Sequence, residues 1–305
     1  MSPARFPRAL LHPRHWPTWI ALGLLRLLCL LPIAGSLALG EGLGWLLGRV
    51  ARSRRNVVLT NLRLCFPALS ERERHELADA HFRALGAGVF EAGLAWWASN
   101  ARLARRLEVS GLEHLDAALR RGGVILLSGH FTTLELAARM AAMQRAFHPM
   151  YRPLNNPLVD FLTSRWRSQR AGVPAIPKDD LRALVRALRE GRAIWYAPDQ
   201  ALDRHQSVWA SFFGVPTLTI TATSRLARMG RASVVPYFSE RRGSRYRLRF
   251  HPALENFPGA DEVADANRVN RTIEEGVRAA PAQYFWVHKR FKARPPGEAD
   301  VYRPR

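Results

Sequence analysis

The sequence predicts an α/β protein: a central, mostly parallel or mixed sheet flanked by helices, preceded by an N-terminal membrane-associated helix. Three observations carry this reading. Short apolar runs bounded by turn residues alternate with helical periods across residues 124–279. The sharpest polar motifs fall just after two of those runs, where open α/β sheets gather their sites. Residues 16–48 are mostly apolar and are bracketed by arginines.

The N-terminal segment comes first. Arg26, Pro32 and Glu41 interrupt it, and the uncharged stretch 27–40 is shorter than the ~20 apolar residues a bilayer span needs. If Arg26 snorkels, a tilted span from about Trp19 to Leu39 is the expectation. Arg5, Arg8 and Arg14 precede the segment, and Arg49, Arg52, Arg54 and Arg55 follow it. Cations on both sides suit a helix lying on, or shallowly crossing, an anionic membrane surface. A buried core helix is the alternative. Cleavage as a signal peptide is not expected, because the small residues run straight into another apolar patch, 43–47.

Ser70 and Glu73 then form a capping box that opens a helix to about Ser99. Five strands are expected, at 124–128, 146–151, 193–197, 233–238 and 246–251. Helices are expected at 134–144, 157–170, 180–189, 218–229 and 261–279.

The chain has 305 residues and a net charge of +21, with only three lysines among its 46 cations. Codon preference accounts for arginine over lysine but not for the excess of cations over carboxylates. Such a surface seeks nucleic acid, anionic lipid or an acidic carrier protein. Cys29 and Cys65 fit no metal motif and read as buried or lipid-facing thiols in a reducing compartment. The ten histidines show no metal-ligand spacing, so no metal is expected.

The segment Ser128-Gly-His-Phe-Thr-Thr-Leu-Glu135 carries the chemistry. On one helix His130 and Glu135 would point apart. With His130 in the loop, Thr132 as N-cap and Glu135 in the first turn, both sit around one helix N-terminus. Neutral imidazole can take a proton from an attacking hydroxyl, and a carboxylate on the other ring nitrogen fixes its tautomer. Thr132-Thr-Leu-Glu135 is also a capping box, which would account for Glu135 without catalysis.

Five ordered blocks accompany it: LLSGHFTTLE (126–135), YRPLNNPLVD (151–160), WYAPDQ (195–200), FFGVPTLTITATSRLARMG (212–230) and YFWVHKRFKARPPGE (284–298). On these blocks the chain resembles the late lauroyl/myristoyl acyltransferases of lipid A biosynthesis, in the lysophospholipid acyltransferase superfamily. The resemblance runs from about Ala51 to Arg294. It divides the chain into a membrane-anchoring segment, 1–50, and an acyltransferase catalytic domain, 51–305. It implies an acyl thioester of acyl carrier protein as co-substrate, with no cofactor, and a hydroxyl of a Kdo-bearing lipid A precursor as acceptor. The implied place is the inner membrane, with the catalytic domain on its cytoplasmic face. Its H-x-x-x-x-[DE] pattern falls on His130 and Glu135, and its D-Q pair on Asp199 and Gln200.

The family's arginine falls within 165–170, at Arg170 in preference to Arg167. Arginines at a helix end suit the phosphates of the saccharide or of the carrier's phosphopantetheine, or simply a solvated face. Arg152 lies in the YRP block. Asp199 is placed to orient Arg170, His130 or a sugar hydroxyl, or to close a Pro-Asp turn. Gly214 and Pro216 shape a turn near the site, and residues 217–223 supply hydroxyls or cap a helix. His288 and Arg290 belong to an aromatic-cationic stretch suited to a lipid surface or an acidic carrier. Another glycolipid or aminolipid acceptor fits the same chemistry. The other classes are an arginine-rich nucleic-acid-binding protein, for which no motif is visible, and a non-catalytic membrane scaffold.

Overall fold

The structure is a computed structural model and describes residues 6–200 and 206–303. The apolar N-terminal run does not form one span. Helix α1 (Trp16–Leu28) stops at Cys29, and Pro32 stands at the N-cap of a separate helix, α2 (Ile33–Val50). This corrects the expected Trp19–Leu39 span. Among the described residues no helix is long and apolar enough to cross a membrane. The physical reason is in the sequence: Pro32 breaks the run, and Arg26 and Glu41 charge the two halves.

After α2 come α3 (Arg52–Cys65) and the long α4 (Glu71–Trp97). The capping box of α4 forms as expected: the Ser70 N–H donates to Glu73 Oε2 at 2.7 Å, and the Glu73 N–H to Ser70 Oγ at 3.3 Å. Helix α2 lies directly on α4. A Cβ on Gly44 would run into the Phe82 carbonyl, and one on Gly86 into the Gly40 carbonyl, so only glycine permits this approach. A buried cation ties the pair to the sheet, since Arg241 meets Glu41 of α2 at 2.6 Å and Glu91 of α4 at 3.1 Å. Helix α1, by contrast, buries no side chain.

The remaining elements, in order, are α5 (Asn100–Ala104), β1 (Leu107–Ser110), α6 (Leu112–Arg121), β2 (Val124–Leu127), α7 (Leu134–Ala142), β3 (His148–Tyr151) and α8 (Pro157–Ala171). Then follow β4 (Ile176–Pro177), α9 (Leu181–Arg189), β5 (Ala193–Tyr196), β6 (Ser207–Phe212), β7 (Val215–Ile220), α10 (Ala222–Gly230), β8 (Ser233–Arg242), β9 (Arg245–Phe250) and α11 (Glu262–Ala279). All five expected strands are present, as β2, β3, β5, β8 and β9.

Among the described residues, seven strands form one sheet in the order β1-β9-β8-β2-β5-β3-β4, parallel throughout except for the β8–β9 hairpin. The fold is therefore mixed α/β with helices on both sides, as expected. All four residues of β2 are buried, as a central parallel strand covered on both faces requires. One expectation is corrected here. Residues 218–220 are not the start of a helix but the end of β7, paired antiparallel with β6; the helix begins at Ala222. The alternation Thr217-Leu-Thr219-Ile220 places the threonines inward, and that two-residue period outweighs helical spacing. Cys29 and Cys65 are buried and unpaired.

Candidate active site

Strand order brings the site together. Strands β2 and β5 are parallel neighbours with Leu127 opposite Tyr196. Three residues beyond each strand stand His130 and Asp199, so the register alone sets them side by side. The Asp199 carboxylate accepts from His130 twice: Oδ1 lies 2.6 Å from Nδ1, and Oδ2 takes the backbone N–H at 2.9 Å. The loop is held from the other side by residues 283–285. The Thr132 N–H donates to the Gln283 carbonyl at 2.7 Å, and the Phe285 N–H to the His130 carbonyl at 2.9 Å.

The electrostatics are lopsided. Asp199 is 2 % exposed. Burial alone would raise its pKa, but the charge and hydrogen bonds of His130, with help from Arg290, hold it well below the usual carboxylate range. For His130, burial disfavours the imidazolium, yet the charge and hydrogen bond of Asp199 win, and its pKa is raised above the ordinary 6.5. An ionised carboxylate only accepts, so Nδ1 carries the hydrogen and Nε2 is left as the base. The His130 side chain keeps 30 % of its surface exposed.

Glu135 is elsewhere, and this is the main correction. Its carboxylate was expected on His130. Instead it takes Arg167, with Nε at 3.0 Å from Oε1 and Nη2 at 2.5 Å from Oε2, and it accepts the Trp96 indole N–H at 3.2 Å. The capping box does not form either. Helix α7 starts at Leu134 after an N-cap at Thr133, with no side-chain cap, so Glu135 points off the helix toward α8. Of the two arginines, Arg167 and not Arg170 meets Glu135. Arg170 instead donates to the Trp96 carbonyl at 3.0 Å. Trp96 stacks on Trp166 with ring centroids 4.7 Å apart.

Glu135, Trp96, Arg167 and Arg170 line a mainly apolar pocket together with Trp195. Trp195 joins it to the histidine, edge-on to the His130 ring at 6.4 Å between centroids. The other expected residues divide. Arg290 is buried, held by the Leu218 carbonyl at 2.9 Å, and acts on Asp199. His288 sits in the same field; burial lowers its pKa while Asp199 opposes the shift. Gln200 follows Asp199 and is half-buried. Gly214 turns the exposed β6–β7 hairpin at φ +77°, and Pro216 offers its carbonyl to Arg294, so the pair shapes the hairpin rather than the site. The hairpin does contribute indirectly: Thr217 Oγ1 donates to the Arg290 carbonyl at 3.0 Å. Arg152 is exposed beyond β3.

Three residues were not named as site residues from sequence: Trp195 beside His130, Tyr284 against Asp199, and Trp96 on Glu135. Tyr284 is buried against Asp199, and burial followed by that negative charge raises its pKa well above the ordinary value. Sequence offered one cue, since both Trp96 and Trp195 stand at or next to element ends.

Residues 4–293 match the family described as bacterial lipid A biosynthesis acyltransferase. The chain is 39 % identical over 302 residues to the lipid A biosynthesis lauroyltransferase of Escherichia coli K12, covering 98 % of each chain. It is 37 % identical over the same length to the palmitoleoyltransferase of that organism, again covering 98 % of each. With the lipid A biosynthesis myristoyltransferase of Escherichia coli K12 it shares 30 % identity over 303 residues, 98 % of this chain and 94 % of that one. By this match over nearly its whole length, the chain belongs to the bacterial lipid A biosynthesis acyltransferase family.

Proposed function

We propose that the protein moves a fatty acyl chain from acyl carrier protein to a free hydroxyl of a Kdo-bearing lipid A precursor, with His130 as general base. The observation that carries this is the His130–Asp199 pair beside the apolar pocket. The acceptor O–H gives its proton to His130 Nε2 while its oxygen attacks the thioester carbonyl carbon. The tetrahedral intermediate collapses, the C–S bond breaks, and the imidazolium returns the proton to the leaving thiolate. Ester and thiol result, and no protein nucleophile is needed. Asp199, rather than Glu135, fixes the tautomer and balances the imidazolium. Glu135 serves by holding Arg167 at the pocket wall. Family membership favours this reading over the nucleic-acid-binding and scaffold alternatives.

The same reading places the enzyme on the cytoplasmic face of the inner membrane, with α1 and α2 lying on the lipid. Ile20, Leu27, Leu30 and Leu43 are each more than half exposed, an apolar ridge that water would not favour. Arg8, Arg14, Arg49 and Arg52 are exposed around it, as an anionic surface would require.

The test is acyl transfer by the full-length protein in detergent, from acyl-acyl carrier protein to the Kdo-bearing precursor, read by mass spectrometry. The wild type is expected to add one acyl mass, and His130→Ala to lose ~10²–10⁴-fold in turnover. Near-wild-type turnover by a folded His130→Ala protein would sink the proposal.

A further inference from the structure

We infer that Arg170, backed by the buried Arg139, forms a binding site for a phosphate ester at the wall of the pocket next to Glu135. Three guanidiniums line this pocket, those of Arg139, Arg167 and Arg170. Glu135 answers only Arg167. Among the described residues, Arg139 and Arg170 have no carboxylate partner.

Arg139 is 7 % exposed. Its Nη1 donates to the Arg170 carbonyl at 3.1 Å, its Nη2 to Asn100 Oδ1, and its Nε has no partner. Arg170 spends Nη2 on the Trp96 carbonyl, which leaves its Nε and Nη1 without a partner among the described residues. These carbonyls lie at the C-terminal ends of α8 and α4, so helix dipoles offset part of the positive charge but supply no full counterion. Burial and the charge of Arg170 together lower the pKa of Arg139, which marks a local excess of positive charge. Buried cations without counterions are costly, and an arriving anion relieves that cost.

The geometry selects the ligand class. An arginine fork matches phosphate oxygens in pairs. The other walls are apolar, with Ala138, Ala142 and Phe147 among them, so the phosphate arrives on an apolar or thinly polar arm. Arg139 does not need to touch it. It pins the backbone of Arg170 and adds charge from behind. Under the acyl-transfer reading, on which the identity of the ester rests, two sources carry this chemistry: the saccharide phosphates of the acceptor and the phosphopantetheine arm of the donor.

The test does not use turnover first, so its failure is distinct from failure of the acyl-transfer reading. Trp96, Trp166 and Trp195 line the pocket and report binding by fluorescence. Dodecyl phosphate and dodecanol are titrated into the full-length protein in detergent. The wild type is expected to prefer the phosphate by ~10-fold or more, the scale of one charge-assisted hydrogen bond. Arg170→Gln should erase most of that preference and Arg170→Lys should restore part of it. Arg139→Gln should weaken it too; should that variant fail to fold, the half-buried Arg170 carries the test. Equal wild-type binding of both probes, or an undiminished preference in Arg170→Gln, overturns the inference. Steady-state arms then identify the source. Arg170→Gln should raise KM for one substrate, and the gap from wild type should close when that substrate lacks its phosphate. A gap that persists with both dephosphorylated substrates also overturns the inference.

Discussion

Two carboxylate-centred pairs flank the junction between β2 and α7, and they differ in partner and in burial. His130–Asp199 joins the ends of adjacent strands, with its carboxylate 1 % exposed and its imidazole partly open. Glu135–Arg167 joins two helices, with side chains 16 % and 30 % exposed. In the first pair the carboxylate raises the pKa of the imidazole above its ordinary value. In the second, the carboxylate faces a guanidinium, a cation that stays charged. The lesson is that residues five apart in the sequence take different partners, the imidazole a buried carboxylate and Glu135 a guanidinium. Strand order, not spacing along the chain, decides which carboxylate reaches the histidine.

Breaking the first pair should have the largest effect. Asp199→Asn keeps the shape but removes the charge, and a fall of ~10²–10⁴-fold in kcat is expected. The pH profile carries the sharper signature. His130 acts as base only when neutral, so activity falls as pH drops through its raised pKa. Without the Asp199 charge, burial alone acts on the imidazole and lowers its pKa, so the acid limb should move to lower pH. An acid limb that stays put in Asp199→Asn would refute the assignment of that limb to this pair.

Breaking the second pair should cost less and leave a different trace. Glu135→Gln strands the Arg167 guanidinium, and a loss of ~10–100-fold in kcat/KM is expected from the lost charge-assisted bonds. Because Glu135 makes no hydrogen bond to His130, the acid limb should stay where the wild type has it. If Glu135→Gln shifted the limb as Asp199→Asn does, the two pairs would form one coupled unit and the contrast would collapse.

The elements that frame the site are legible in the sequence. The apolar runs at 124–128 and 193–197 end in Gly129-His130 and Pro198-Asp199, and both motifs are where strand ends place them. The pairing was not legible. Strand β3 lies between β2 and β5 in the chain but outside them in the sheet, so the neighbour of β2 is fixed by tertiary packing. Glu135 misled for a local reason: Thr132-Thr-Leu-Glu135 spells a capping box, yet Thr132 is drawn to Gln283 and the helix starts later. Which arginine meets Glu135 depended on the packing of α8 against α7, because Arg167 and Arg170, three residues apart, lie on the same side of the helix. The N-terminal break at Pro32 was readable and outweighed the apolar count. The β7 strand was readable too, from the alternation at 217–220.

The smallest expected effect is the most discriminating about the second pair. Trp96 donates its indole N–H to Glu135 while its ring stacks on Trp166, one residue before Arg167. Trp96→Phe keeps an aromatic face for that stack and deletes only the donor. Glu135 retains Arg167, so its charge is still met and only its orientation is loosened. A neutral hydrogen-bond donor to a carboxylate contributes about 1–2 kcal/mol, so a fall of ~5–30-fold in kcat/KM is expected with little change in thermal unfolding. The acid limb should again be unmoved. An effect as large as that of Glu135→Gln would mean that the angle of the carboxylate, and not its charge, is what the site requires. No effect at all would mean that Arg167 alone positions it, and Trp96 would then matter only as part of the aromatic stack.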